Sequence, residues 1–229
     1  MRQLLLLLPF VLVACGGTKT AMEPVPTDHE GGRPSADGAD ERTEIMRLFM
    51  EATQAGLGGQ LPKAVSLYQQ CLKADPQNAA SMFELAKLYH ASQQFEPAVA
   101  MAKQAVETEK SNIWYRFLLA DLYKQNSQAE DAAAVYKGIV AQWPDRYEVY
   151  LDMAGAYAYA DKIGEALKVY ADMEKRFGLN EELISHQFST LMEAEKYPEA
   201  QQLVQRAIAQ YPSDAQYAAM LGDLYDQQG

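Results

Sequence analysis

An all-α fold of stacked helical hairpins is what this 229-residue sequence predicts, on three observations. Ala64, Ala98, Ala132, Ala166 and Ala200 recur every 34 residues without a slip. A second small-residue column runs through Ala52, Ala86, Ala120 and Ala154, lapses at Phe188 and returns as Gly222. Tyr89, Tyr123, Tyr157 and Tyr225 keep the same beat, with Ala55 and Leu191 as exceptions, while Pro76, Pro144 and Pro212 close their units and Lys110 and Gly178 hold the intervening places. A fixed period of this length marks a repeat array, because each unit is too small to bury its apolar face and must stack on the next.

Taken in order, each unit reads as two helices. In the second unit Met82, Leu85, Ala86 and Tyr89 fall on one helical face, the spacing of an amphipathic helix. Ser92, Gln93 and Gln94 break it, and Phe95, Ala98, Val99, Ala102 and Ala105 mark the inner face of a second helix. Pro62, Pro97 and Pro198 stand just before the alanine column, where a first helical turn leaves the missing N–H without consequence. Two antiparallel helices approach closely only where small residues cross, so Ala86 is expected to meet Ala98. The units are placed near 45–78, 79–112, 113–146, 147–180 and 181–214, with a terminal helix at 215–228, within an array spanning 43–229. In the first unit Ala55, Gly56, Gly58 and Gly59 predict a first helix that ends early or frays. In the fifth, Phe188 predicts a splayed or shifted hairpin. Gly178 predicts a helix stop, and Asn180 a cap, with Glu181 and Glu182 complementing the positive helix end. In the terminal helix Ala218, Ala219, Met220, Leu221 and Leu224 are apolar on more than one side, from which a longer array or a covering partner is expected.

Leu119-Ala120-x2-Tyr123 followed by Ala132-x3-Tyr136 and Pro144 resembles the tetratricopeptide repeat. Met153-Ala154-x2-Tyr157 with Ala166-x3-Tyr170, and Leu221-Gly222-x2-Tyr225, repeat the likeness. The resemblance covers residues 45–229. It implies a right-handed superhelix whose concave face, lined by the first helix of each unit, binds peptides. Members that bind chaperone tails carry a lysine and asparagine clamp; Phe49 and Thr53 hold the corresponding first-unit places, which argues against that ligand.

At the other end, Arg2 precedes an apolar run from Leu4 to Val13, a secretory leader too short for a permanent membrane span. Leu12-Val13-Ala14-Cys15 resembles the bacterial lipobox, which implies cleavage of residues 1–14 and lipidation of Cys15, with palmitate among the acyl groups. Gly16 after the cysteine resembles lipoproteins sorted to the outer membrane, on its periplasmic side. Residues 15–42, rich in proline and glycine, are expected to form a flexible tether, with Asp40 or Thr43 capping the first helix.

Composition excludes several function classes. Lys and Arg total 20 against 31 Asp and Glu, for a net charge of −11. Such a balance argues against nucleic acid and against a polybasic grip on lipid. Cys71 shares a column with Ala105, Ile139, Met173 and Ala207, so it reads as a buried small apolar group. His29, His90 and His186 lack partners at metal spacing. Gly56-x-Gly58-Gly59 lacks the lysine of a phosphate loop and reads as a turn. No catalytic residue, cofactor, metal or small-molecule substrate is expected.

The remaining surface carries the functional expectation. Residues of the first helices that lie off the packing columns are Phe83, Lys87 and His90; Trp114, Phe117, Asp121 and Lys124; and Asp152 and Tyr159. Aromatics beside charges suit a peptide groove, although Trp114 and Phe117 serve equally well as packing between units. Trp143, at an inter-unit turn, reads as structural. The leading expectation is a lipid-anchored scaffold that binds a protein or peptide in the bacterial cell envelope, for assembly or secretion. The alternative is an accessory or regulatory module of a longer or partner enzyme, for example one recruiting a cell-wall hydrolase.

Overall fold

A computed structural model describes residues 36–228, with side chains described for 40–227. The leader, Cys15, His29 and the first part of the tether lie outside the described residues. Among the described residues there are eleven helices and no strand: α1 (Ala36–Leu57), α2 (Leu61–Ala74), α3 (Ala79–Ala91), α4 (Phe95–Thr108), α5 (Ile113–Gln125), α6 (Ala129–Gln142), α7 (Tyr147–Tyr159), α8 (Ile163–Phe177), α9 (Glu181–Glu193), α10 (Tyr197–Gln210) and α11 (Ala215–Gln228). Each helix packs on its chain neighbours, and α7 also touches α9. The result is a right-handed superhelix of antiparallel hairpins.

The turns inside the hairpins share one backbone solution. Gly59, Gln93, Ser127, Asp161 and Glu195, one column of the repeat, all sit at positive φ, between 54° and 74°. In each, the next residue's N–H reaches back to the closing helix, from Gln60 to Ala55 at 2.8 Å and from Lys196 to Leu191 at 2.8 Å. The positive-φ residue itself donates three residues back, as Gln93 does to His90 at 2.9 Å. This is the Schellman cap, which satisfies carbonyls orphaned at the helix end. The same junction starts the second helix, since Ala98 N–H donates to the Gln94 carbonyl at 3.1 Å. Between hairpins, asparagine side chains cap three of the incoming helices, whereas α7 starts at Arg146 with no side-chain cap. Asn78 accepts from Ser81 N–H at 2.9 Å, Asn112 from Trp114 N–H at 3.1 Å, and Asn180 from Leu183 N–H at 2.9 Å.

The alanine columns lie where the helices cross. Ala52, Ala64, Ala86, Ala98, Ala120, Ala132, Ala154, Ala166 and Ala200 are fully buried. Buried tyrosines fill the space beside them; the Tyr68 hydroxyl pairs with Thr53 at 2.9 Å and that of Tyr170 with Thr190 at 3.0 Å. Cys71 is buried, its thiol pushed up by burial, with Sγ 3.7 Å from the Ile45 carbonyl.

Three expectations need correction at the N-terminal end. The tether does not extend to residue 42: α1 is already helical from Ala36. Asp40 and Thr43 therefore lie inside the helix rather than capping it. Further along the helix, Arg47 pairs with Glu44 at 2.7 Å and with Glu51 at 3.1 Å, the spacing of helical neighbours. Nor does α1 end early. It runs to Leu57, the register at which α3 ends with Ala91, because Gly59 supplies the left-handed cap that stops the helix cleanly.

At the fifth unit, Phe188 is half-buried against the cluster of Ile184, Leu191 and Leu203. Helix α9 packs less closely on α10 than α3 does on α4, as a large ring at a crossing position requires. Gly178, at φ 79°, ends α8. Polar contacts then join this unit to the one before it. Tyr211 hydroxyl donates to the Leu179 carbonyl at 2.8 Å, Arg206 pairs with Glu174 at 2.6 Å, and Tyr147 hydroxyl donates to Asn180 Oδ1 at 3.0 Å.

Candidate functional site

The odd-numbered helices turn one face away from the core, and these faces form the concave surface. Its columns follow the repeat, so the place of Trp114 on α5 is held by Met46 on α1, Glu148 on α7 and Glu182 on α9. Apolar side chains stand bare here: Met46 is 61 % exposed, Met50 64 %, Trp114 68 % and Tyr159 74 %. Such rings and thioethers gain nothing from water and supply anchor area for a second chain.

A pocket of about 580 Å³ lies between α5, α7 and α9. Leu151, Gly155 and Ala156 form apolar wall, while Lys124, Glu148, Asp152, Tyr159, Glu182 and His186 bring polar and aromatic groups to it. Lys124 Nζ lies 3.7 Å from Asp152. Asp121, one helical turn before Lys124, has its carboxyl pushed above the ordinary range by desolvation, against the pull of Lys124 and with a further push from Asp152.

The expected groove residues divide into two groups. Lys124, Asp152 and Tyr159 meet at the pocket, with Asp121 electrostatically coupled to the first two. Trp114 stands bare with its ring 6.0 Å from that of half-buried Phe117. Phe83, Lys87 and His90 do not reach the pocket. Phe83 packs on Tyr115 at 5.0 Å and beneath Lys87 at 5.2 Å, and Lys87 is tied to Glu84 at 2.9 Å. His90 Nε2 is hydrogen bonded to Gln125 Oε1 at 2.6 Å. Trp143 lies under the Arg116 guanidinium at 5.8 Å. Among the described residues no group of three or more His, Cys, Asp and Glu side chains lies close enough to hold a metal ion.

Sequence reading missed Met46, Met50, Glu148, Glu182 and His186. The signal was present: shifting Trp114 by one 34-residue period lands on Glu148, and Asp152 shifted likewise lands on His186.

Comparison with known proteins bears on the family. The family model described as tetratricopeptide repeat matches residues 58–122, and a second model of the same description matches 187–229. No curated protein matches the sequence. Among solved structures, a tetratricopeptide repeat protein from Parabacteroides merdae superposes with a TM-score of 0.60 at 16 % identity, covering 82 % of this chain and 74 % of that one. YrrB, described as a TPR protein with an unusual peptide-binding site, gives 0.57 at 15 % identity, over 79 % of this chain and 93 % of its own. MamA from Desulfovibrio magneticus RS-1 gives 0.56 at 9 % identity, over 75 % and 97 %. At these identities the likeness speaks for the fold, and it agrees with the repeat period, the hairpin stack and both family matches. The chain is a tetratricopeptide repeat protein.

Proposed function

We propose that this protein is a lipid-anchored scaffold that holds a protein or peptide partner along its concave face, in the bacterial cell envelope. The observation that carries the binding role is the exposure of Trp114 and Tyr159, 68 % and 74 %, on a concave surface. Neither ring is needed for the stack, and each offers the rigid, amphipathic area that interface anchors have. The family is typically a non-catalytic scaffold, which fits this reading. YrrB is described as having a peptide-binding site, and its fold is shared here. The anchor rests on the leader and on the Leu12-Val13-Ala14-Cys15 motif. Acyl chains contribute about 0.8 kcal/mol per buried CH₂, so more than one chain holds a protein stably at a membrane. Gly16 favours the outer membrane and its periplasmic face, where the partner belongs to envelope assembly or secretion.

Two experiments separate the claims. Trp114→Ala with Tyr159→Ala should lose crosslinked partners in cells while helical circular dichroism stays unchanged. An unaltered partner set rules out the groove. Cys15→Ser should abolish labelling by radioactive palmitate and release the protein from the membrane fraction; retention of the label rules out the anchor.

A further inference from the structure

We infer that the segment bound in the concave face is basic and amphipathic, setting a lysine or arginine side chain into the pocket between α5, α7 and α9 and apolar side chains toward Trp114 and α1. The inference rests on the groove reading above and names the chemistry of its occupant.

Charge complementarity carries it. Three carboxylates, Glu148, Asp152 and Glu182, border the pocket, coming from two helices, against the single ammonium of Lys124. That ammonium is already drawn toward Asp152, at 3.7 Å, so Glu148 and Glu182 keep their charge available. The shape matches as well. Leu151, Gly155 and Ala156 offer apolar wall for a methylene stem, and the bare Tyr159 ring offers a face for the cation at its tip. A metal ion fits poorly, since no three acidic or histidine side chains among the described residues converge. A long, flexible cation reaches carboxylates that are spread around a rim.

The rest of the groove says what accompanies the cation. Toward the N-terminal end Met46, Met50 and Trp114 stand bare, with the Glu84–Lys87 ion pair of α3 between α1 and α5. A peptide lying along the superhelix meets carboxylates at one end and apolar groups at the other. The net charge of −11 adds long-range attraction for a cationic chain.

The test uses the full-length protein and fluorescein-labelled peptides followed by anisotropy: a short leucine–lysine peptide and its leucine–glutamate counterpart. The lysine peptide should bind and the glutamate peptide should not. Asp152→Asn with Glu182→Gln should weaken the lysine peptide by about tenfold, the scale of losing a paired charge at an interface. Glu107→Gln with Asp172→Asn removes the same charge from exposed sites on the even-numbered helices α4 and α8 and should change affinity less than about twofold if the pocket itself is responsible. Equal losses from the two pairs, equal binding of both peptides, or no binding of either overturns the inference. Trp114→Ala distinguishes the levels of the claim. If it weakens both peptides alike, the groove reading survives without the cationic preference. If neither peptide responds to Trp114→Ala or to the pocket pair, the groove reading fails too.

Discussion

Gln93, Ser127, Asp161 and Glu195 adopt the left-handed backbone that Gly59 adopts in the first hairpin. For an L-residue with a side chain that conformation costs roughly 1 kcal/mol relative to glycine. The cost is tolerated because the Schellman hydrogen bonds satisfy the helix end. Gln93→Gly is therefore expected to stabilise the protein by up to about 1 kcal/mol, and Gly59→Ala to destabilise it by a similar amount. No atom lies within 4 Å of a Cβ built at Gly59, so the second effect is conformational rather than steric. Urea unfolding midpoints check both, and a destabilised Gln93→Gly would refute the account. The same scale shows what a short motif leaves out. The pattern Gly56-x-Gly58-Gly59 suggested a weak helix, yet only the last glycine has a conformational task, and it ends the helix rather than loosening it.

At the scale of the element, three helix starts between units depend on one side chain each, Asn78 for α3, Asn112 for α5 and Asn180 for α9. Asn180 carries the heaviest load, since its Oδ1 accepts both from Leu183 N–H at 2.9 Å and from Tyr147 hydroxyl at 3.0 Å. One bond caps α9 and the other fastens it to the preceding unit. Asn180→Ala should cost about 1–2 kcal/mol, the upper part of the range for a lost cap, whereas Tyr147→Phe should cost about 1 kcal/mol or less, the scale of a single hydrogen bond. The comparison is made by urea unfolding of both variants; equal, negligible losses would show that the cap is replaceable by water. Here the element was legible from residues alone, because Gly178, Asn180, Glu181 and Glu182 each follow a local rule of helix ends. The start of α1 was not. Proline and glycine between residues 24 and 38 point to a tether up to residue 42, but α1 is helical from Ala36.

For the whole molecule, the apolar interior is divided. One cluster runs from Ala86 through Tyr136 and Tyr170 to Leu183, joining α3 to α9, while a separate cluster from Ile184 to Leu224 holds α9, α10 and α11. Quasi-one-dimensional arrays lose structure where the interface between units is weakest. The contact of α8 with α9 is sparser than that of α6 with α7, and Phe188 sits at the next crossing. Native-state hydrogen exchange is expected to show α9–α11 losing protection at lower urea than α5–α8. Uniform protection across both blocks would mean that the polar links at Leu179, Asn180 and Glu174 compensate for the apolar break.

What the sequence by itself determined is the periodic part of this protein. The alanine of the helix crossing leaves a mark at a fixed distance, and five units print it five times; asparagine caps recur at Asn78, Asn112 and Asn180, whereas the left-handed turn position changes residue type in every unit. The same local logic placed Lys124, Asp152 and Tyr159 off the packing columns. Only the tertiary structure decided which exposed side chains share a space. Glu148 and Glu182 are 34 residues apart in the chain but border one pocket, while Phe83 and His90, read as groove residues, are taken up by Tyr115 and Gln125. Burial within a helix depends on neighbours a few residues away. A groove depends on the angle between successive units, which is the summed outcome of packing that no single unit encodes.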